Sequence, residues 1–262
     1  MEGGVDGDGG GPRDDRPLDW RDPALWPTEP GQARAVQERL RVMVERVDRF
    51  GPVRRVAALD AHYAADYSAT WAAAVLLDAD DMTLLKSALV CTPTRFPYIP
   101  GFLSFREAPA MLEALAMLGT RPDLVVVDGH GTAHPRRLGI ACHVGVLADL
   151  PTIGVAKSLL CGRFEPPGLG KGEHAPLVHR REVVGTVLRS RDKVAPVFVS
   201  TGHRVSQESA LRLVTGMLGR YRLPEPTRIA DAVSRMHPPG PKPPAPTRTS
   251  GIGDAGEVFP DE

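Results

Sequence analysis

The sequence predicts an α/β fold: a single domain built on one mixed β-sheet with helices on its faces. Two observations carry this. Short apolar runs such as "PDLVVVDGHG" and "PTIGVAKS" end at polar or glycine residues, the signature of buried strands. The strands come first as a meander and then alternate with segments of helical periodicity, the order that a mixed sheet covered by helices requires. A chain of 262 residues, 42% of them hydrophobic, is long enough for one sizeable core.

The elements follow in order. Residues 1–17 are rich in Gly and Asp and have too little apolar surface to join a core, so a disordered tail is expected. "GQARAVQERLRVMVERV", residues 31–47, has helical spacing. The stretch from Val53 to Cys91 reads as three strands, the first ending near Asp60 and the second turning at Asp78 to Asp81. "SFREAPAMLEALAML" is helical, with Gly119 as its stop. A strand ends at Asp128, a helix runs over Leu138 to Leu150, and "PTIGVAKS" is the next strand. "EVVGTVLRS" and "APVFVSTG" read as two further strands, and Ser206 to Leu218 as a helix. Residues 237–262 are rich in Pro and Gly and are expected to form a second disordered tail, leaving 18–236 as the folded domain.

Composition excludes several classes. No apolar run reaches the roughly 18 residues of a membrane span. The N-terminus lacks a basic patch followed by an apolar stretch, so no secretory signal is read there. Three cysteines, Cys91, Cys142 and Cys161, without CxxC spacing, argue against a disulfide framework or a zinc site and fit a reducing cytoplasm. The formal net charge of +0 conceals an asymmetry: residues 1–30 hold 8 acids and 3 bases, 237–262 hold 4 and 2, and the body between holds 27 bases against 20 acids. A basic body with acidic ends permits a nucleic-acid partner; a soluble mixed-charge surface explains the charge equally well.

Two apolar strands end in aspartate, at Asp60 and Asp128. Ligands of α/β sheets bind beyond the carboxyl ends of such strands, and two neighbouring carboxylates make a hard oxygen site suited to Mg²⁺. One such aspartate is usually a turn residue or a cap; two, one of them followed by "GHG", weaken that reading. Glu107, placed in the first turn of a helix, is a third acid, or else a charge complementing the helix dipole. Lys157, at a strand end, is a cation where a phosphate could sit. His203, before a helix, reads on its own as an ordinary loop residue. His130 and His134 match no zinc-binding helix pattern, and at least one of them is expected to be structural.

"FPYIPGFLSFRE", "DLVVVDGHG", "HPRRLGIACHVGVLADLPTIGVAKSLLCG", "STGHRVSQESAL" and "YRLPEPTRIADAV" together resemble the endonuclease V family in its bacterial form, over about Ala33 to Arg235. The resemblance implies an RNase H-like fold. It implies an Mg²⁺-dependent deoxyribonuclease, with Mn²⁺ as substitute, that recognises deoxyinosine and other deaminated bases. Cleavage is implied at the second phosphodiester bond 3′ to the lesion, leaving 3′-hydroxyl and 5′-phosphate ends. Asp60 and Asp128 match the metal-binding aspartates and Glu107 the third acid. Lys157 and His203 match positions near the scissile phosphate, and Tyr98 matches the wedge in the lesion strand. Two positions depart: Ala61 stands where valine is common, and Glu208 where aspartate is, which bears on the support of His203.

Prolines fix backbone angles, so Pro97 and Pro100 would hold Tyr98 and Ile99 as a stiff element beside a base taken out of its stack. Gly129 and Gly131 would let backbone approach that base. His203 would orient or deprotonate the attacking water. The protein is expected to act as a monomer, away from membranes. Two other readings stand beside this one: an inosine-specific ribonuclease of the same fold, with inosine-containing RNA as partner, and a nucleic-acid-binding protein without catalysis.

Overall fold

Eight strands form one sheet in the computed structural model, which describes residues 18–236; both expected tails, 1–17 and 237–262, lie outside the described residues. The strands are β1 (Arg55–Tyr63), β2 (Ala69–Asp78), β3 (Leu84–Pro93), β4 (Leu124–Asp128), β5 (Thr152–Ala156), β6 (His174–His179), β7 (Glu182–Leu188) and β8 (Val197–His203), ordered β3-β2-β1-β4-β5-β8-β7-β6. β1, β4 and β5 run parallel, and the remaining neighbours pair antiparallel. Five α-helices cover the sheet: α1 (Pro30–Arg41), α2 (Leu103–Met117), α3 (Ile140–Ala148), α4 (Gln207–Gly216) and α5 (Glu225–Ser234). This is the mixed, helix-flanked sheet that the sequence predicts. No described helix is long and apolar enough to cross a membrane.

Strand alternation sorts the side chains between two cores. Ala57 and Leu59 of β1 and Val125 and Val127 of β4 pack with α1, α2 and α3. Val56, Leu124, Val126, Ile153 and Val155 pack on the other face with Ala210 and Val214 of α4, while Ala58 meets Ala230 of α5. The period of two therefore sends Asp60, Asp128 and Lys157 to the α4/α5 face, because they continue the even rows of β1 and β4 and the odd row of β5.

Several elements depart from expectation. α1 stops at Arg41 rather than near Val47. The segment after it pairs with the end of β8 instead: Arg204 N–H donates to the Glu45 carbonyl at 2.7 Å and Arg49 N–H to the Arg204 carbonyl at 3.0 Å. β1 does not end near Asp60 but runs on to Tyr63, paired with β2. Glu107 sits in the second turn of α2, beyond reach of a simple helix-dipole explanation. β6 and α5 were not legible as elements. Gly119, with φ +60° just past α2, and Ser206, whose side chain caps α4, act as predicted.

Candidate active site

The parallel register of β1 and β4 ends at Leu59 opposite Val127, one step before Asp60 and Asp128. β1 then follows β2 while β4 stops, so the strands part where both carboxylates emerge. α5 closes this gap from the α4/α5 face. Carboxylate oxygens of Asp60, Asp128 and Asp231 lie within 4.8 Å of one another. Ser234, one turn after Asp231, donates to Asp60 Oδ2 at 2.6 Å. Lys157 Nζ lies 2.5 Å from Asp128 Oδ2 and 3.3 Å from Asp231 Oδ1. Arg235 holds Asp231 from outside through two contacts of 3.0 Å.

The electrostatics show a crowded negative centre. Asp60 is 6% exposed; burial and then the Asp128 charge push its carboxyl up to about 7. Glu107, on α2, is 7% exposed and is not one of the three clustered acids; burial first, and the Asp60 and Asp128 charges, push it up to about 8 although the Tyr63 hydroxyl donates to it. Burial pulls the Lys157 ammonium down, but Asp128, Asp60 and Asp231 outweigh it and its pKa is raised. Lys157 and Arg235 together do not balance Asp60, Asp128, Asp231 and Glu107. A compact, oxygen-only donor set with unbalanced negative charge fits a hard divalent cation such as Mg²⁺.

Beside the carboxylates, Tyr98, Ile99 and Pro100 border a cavity of about 190 Å³ whose other walls include His130, Ile140 and Leu160. Tyr98 is 71% exposed at its mouth. The loop behind it is anchored through one carbonyl. Gly101 O accepts from Gln37 Nε2 at 2.9 Å, His134 Nε2 at 3.0 Å and Arg136 Nη2 at 2.6 Å. His134 Nδ1 accepts from the Arg136 N–H, so the ring is a neutral clamp, and burial drives its pKa down to about 3. His130 donates to the Ser158 carbonyl at 3.0 Å. Neither histidine joins the acidic cluster, and the expectation of a structural histidine fits His134.

Two predicted roles meet different surroundings. His203 is the last residue of β8, paired with Thr152 at the opposite end of β5 from Lys157. Four strand steps, about 13 Å, separate the two ends. Its Nδ1 accepts from the Glu45 N–H at 3.2 Å, and burial, then Arg204, lowers its pKa to about 4. The structure thus uses His203 to fasten the segment after α1, and does not bring it to the carboxylates. For Gly131, a Cβ would fall on the Thr201 carbonyl oxygen, so its glycine is required by packing against β8 rather than by a ligand. Gly129, at φ +145°, has only Ile140 of the cavity wall nearby. Gly131→Ala should cost about 1–3 kcal/mol of stability, lowering Tm by roughly 2–4 °C per kcal/mol. A thermal melt showing an unchanged Tm would remove the packing argument.

The family model described as Endonuclease V matches residues 38–232. The chain belongs to the endonuclease V family. It is 53% identical over 209 residues to endonuclease V of Roseiflexus castenholzii, covering 80% of this chain and 93% of that one. It is 49% identical over 213 residues to endonuclease V of Trichormus variabilis, covering 81% and 96%. The crystal structure of endonuclease V from Streptomyces avermitilis superposes with a TM-score of 0.76 at 44% identity, covering 80% of this chain and 93% of that one. Endonuclease V of Ciona intestinalis, in complex with a 24mer DNA containing an inosine followed by a ribo-adenosine, superposes with a TM-score of 0.69 at 29% identity, covering 78% and 95%. An endonuclease V chain is a nuclease, and the acidic cluster lies within the matched span.

Asp231 is the member of the acidic cluster that sequence reasoning missed. Its signal was present in "RLPEPTRIADAV", where prolines open a helix that places Asp231 and Ser234 three apart on one face.

Proposed function

We propose that this chain is a DNA repair endonuclease that takes a deaminated base, chiefly deoxyinosine, into the cavity behind Tyr98. It hydrolyses the second phosphodiester bond on the 3′ side, leaving 3′-hydroxyl and 5′-phosphate ends. The observation that carries this reading is the placement of the Asp60, Asp128 and Asp231 cluster beside a cavity bordered by an exposed, proline-braced tyrosine. The Ciona relative's inosine-containing DNA complex supports the same ligand class.

Asp60, Asp128 and Asp231 would hold Mg²⁺, with Mn²⁺ as substitute. When bound, the ion supplies Lewis acidity and charge neutralisation at the scissile phosphate. Ser234 fixes Asp60 through its hydrogen bond, so that an oxygen of that carboxylate keeps one orientation. Lys157 presents fixed positive charge to a non-bridging phosphate oxygen. Glu107 in its ionised form would accept the proton of the attacking water at Oε2, the oxygen not engaged by Tyr63; because its carboxyl is pushed up to about 8, that form gains population, and nicking should climb, as pH rises from 6 toward 8. The hydroxide so formed attacks phosphorus, the 3′ oxygen departs and takes a proton from solvent. His203 has no part in these steps.

A second reading is an inosine-specific ribonuclease, favoured by the ribo-adenosine that follows inosine in the Ciona complex. The test is nicking of matched strands with one inosine, all-deoxy, all-ribo, or with a single ribonucleotide after the inosine, in Mg²⁺ and after chelation. Cleavage of the all-deoxy strand at the second 3′ bond, lost on chelation, supports the proposal. Cleavage confined to strands with a 2′-hydroxyl favours the ribonuclease, and no cleavage of any strand overturns both.

A further inference from the structure

The β1–β2 hairpin overhangs the carboxylates. β1 continues three residues past Asp60, about 10 Å. The hairpin turn that follows is tightly made. Ala64 N–H donates to the Ala69 carbonyl at 2.9 Å, and Asp66 Oδ1 accepts from Ser68 N–H and Oγ–H at 3.0 and 2.6 Å. In this turn Tyr67 has φ +59°, the left-handed region where a bulky side chain is out of place. Burial does not offset that strain, because Tyr67 is 64% exposed. Its ring leans on Tyr63, centroids 5.9 Å apart at 48°, and faces the Arg106 guanidinium at 5.7 Å. Arg106 lies 4.4 Å over the Tyr63 ring. The half-buried Tyr63 and the buried Arg106 thus prop an exposed aromatic face.

One exposed cation borders this ledge, whose turn also carries Asp66. Thr94 N–H donates to the Ser68 carbonyl at 2.8 Å, which brings the exposed Arg95 beside the turn. Aromatic faces next to cations are how proteins hold single-stranded nucleic acid: bases stack and phosphates are neutralised. Sheet order gives the direction. The cavity lies over the ends of β4 and β5, where His130 and Ser158 stand. The carboxylates lie at β1 and β4, and Tyr67 lies beyond β1, toward β2. A strand that places its lesion in the cavity and its scissile phosphate at the carboxylates therefore continues toward Tyr67.

We propose that Tyr67 is a substrate-positioning residue, stacking on the nucleobase that follows the scissile bond on the side away from the lesion cavity. This rests on the function proposed above. Three variants and two readouts test it. Tyr67→Gly suits the left-handed turn, so Tm stays level or rises. With the ring gone, KM for inosine-containing duplex should rise roughly tenfold. Tyr67→Phe and Tyr67→Trp keep an aromatic face and should hold KM within about twofold. In Ca²⁺, 2-aminopurine placed at successive positions 3′ of the scissile bond should change fluorescence on binding at one position, and Tyr67→Gly should erase that change there alone. Wild-type discrimination of inosine together with an unchanged KM and unchanged fluorescence for Tyr67→Gly overturns this proposal alone. Wild type failing to discriminate inosine overturns the reading beneath it, and the proposal with it.

Discussion

Asp128→Asn, and equally Asp60→Asn, should lower nicking by about three orders of magnitude or more while binding of inosine-containing DNA survives. Both residues supply oxygens to one site, and an amide cannot replace the charge that a hard cation requires. Asp60→Asn should also stabilise the metal-free fold near pH 8, because the Asp60 carboxylate is buried and repelled by Asp128 there. The sign follows from the raised pKa of Asp60. A carboxyl held at about 7 in the fold and near 3.8 unfolded contributes stability that is fully present below about pH 4 and is lost as pH rises through 7. Metal-free wild type should therefore lose Tm between pH 5 and 8, and Asp60→Asn should lose less. Added Mg²⁺ should raise the wild-type Tm more at pH 8 than at pH 5, since protons compete with the ion. Thermal melts at the two pH values, with and without Mg²⁺, read this directly. Near-wild-type turnover by either variant would end the metal assignment.

Tyr98→Ala should weaken the preference for inosine-containing over normal duplex by roughly one to two orders of magnitude, the equivalent of about 1–3 kcal/mol of lost stacking. The ring stands exposed at the mouth of the cavity, so its removal takes away contact with DNA rather than with the core. Mg²⁺ dependence should not change, since the carboxylates are untouched. Tyr98→Phe should be mild, because the ring and not the hydroxyl fills the gap of a base taken from the stack. Binding of lesion and control duplexes in Ca²⁺ at one fixed salt measures this, salt being fixed because phosphate contacts make the affinities salt-dependent. Undiminished preference in Tyr98→Ala would make the elbow a structural loop.

Part of this site was legible in the sequence for a simple reason. Asp60 and Asp128 interrupt continuous apolar runs, and a period of two decides which face they reach. Asp231 was hidden because it lies in an amphipathic helix with Arg235 four residues on, the pattern of an ordinary solvated face. Only folding brings that helix across 171 residues of chain to Asp60. The misplacement of His203 has the opposite cause. Its residue type suits the chemistry, but β8 runs antiparallel to β5, and strand direction is not written in a local sequence. The early stop of α1 was unreadable for the same reason, since its partner, Arg204, is distant.

The Gly101 carbonyl has a kinetic meaning. A carbonyl oxygen offers two lone pairs, yet three donors converge on this one, from α1 and from the turn that carries His134 and Arg136. The elbow is tied at its root before any DNA arrives, so the entropy of ordering it belongs to folding and not to each encounter. A searching enzyme tests a great many undamaged base pairs for each lesion it meets. If Tyr98 acts as the wedge proposed above, the time spent at each pair would be governed by how readily that pair opens, and mismatched or weakly paired bases, which leave the stack most easily, would be sampled most often.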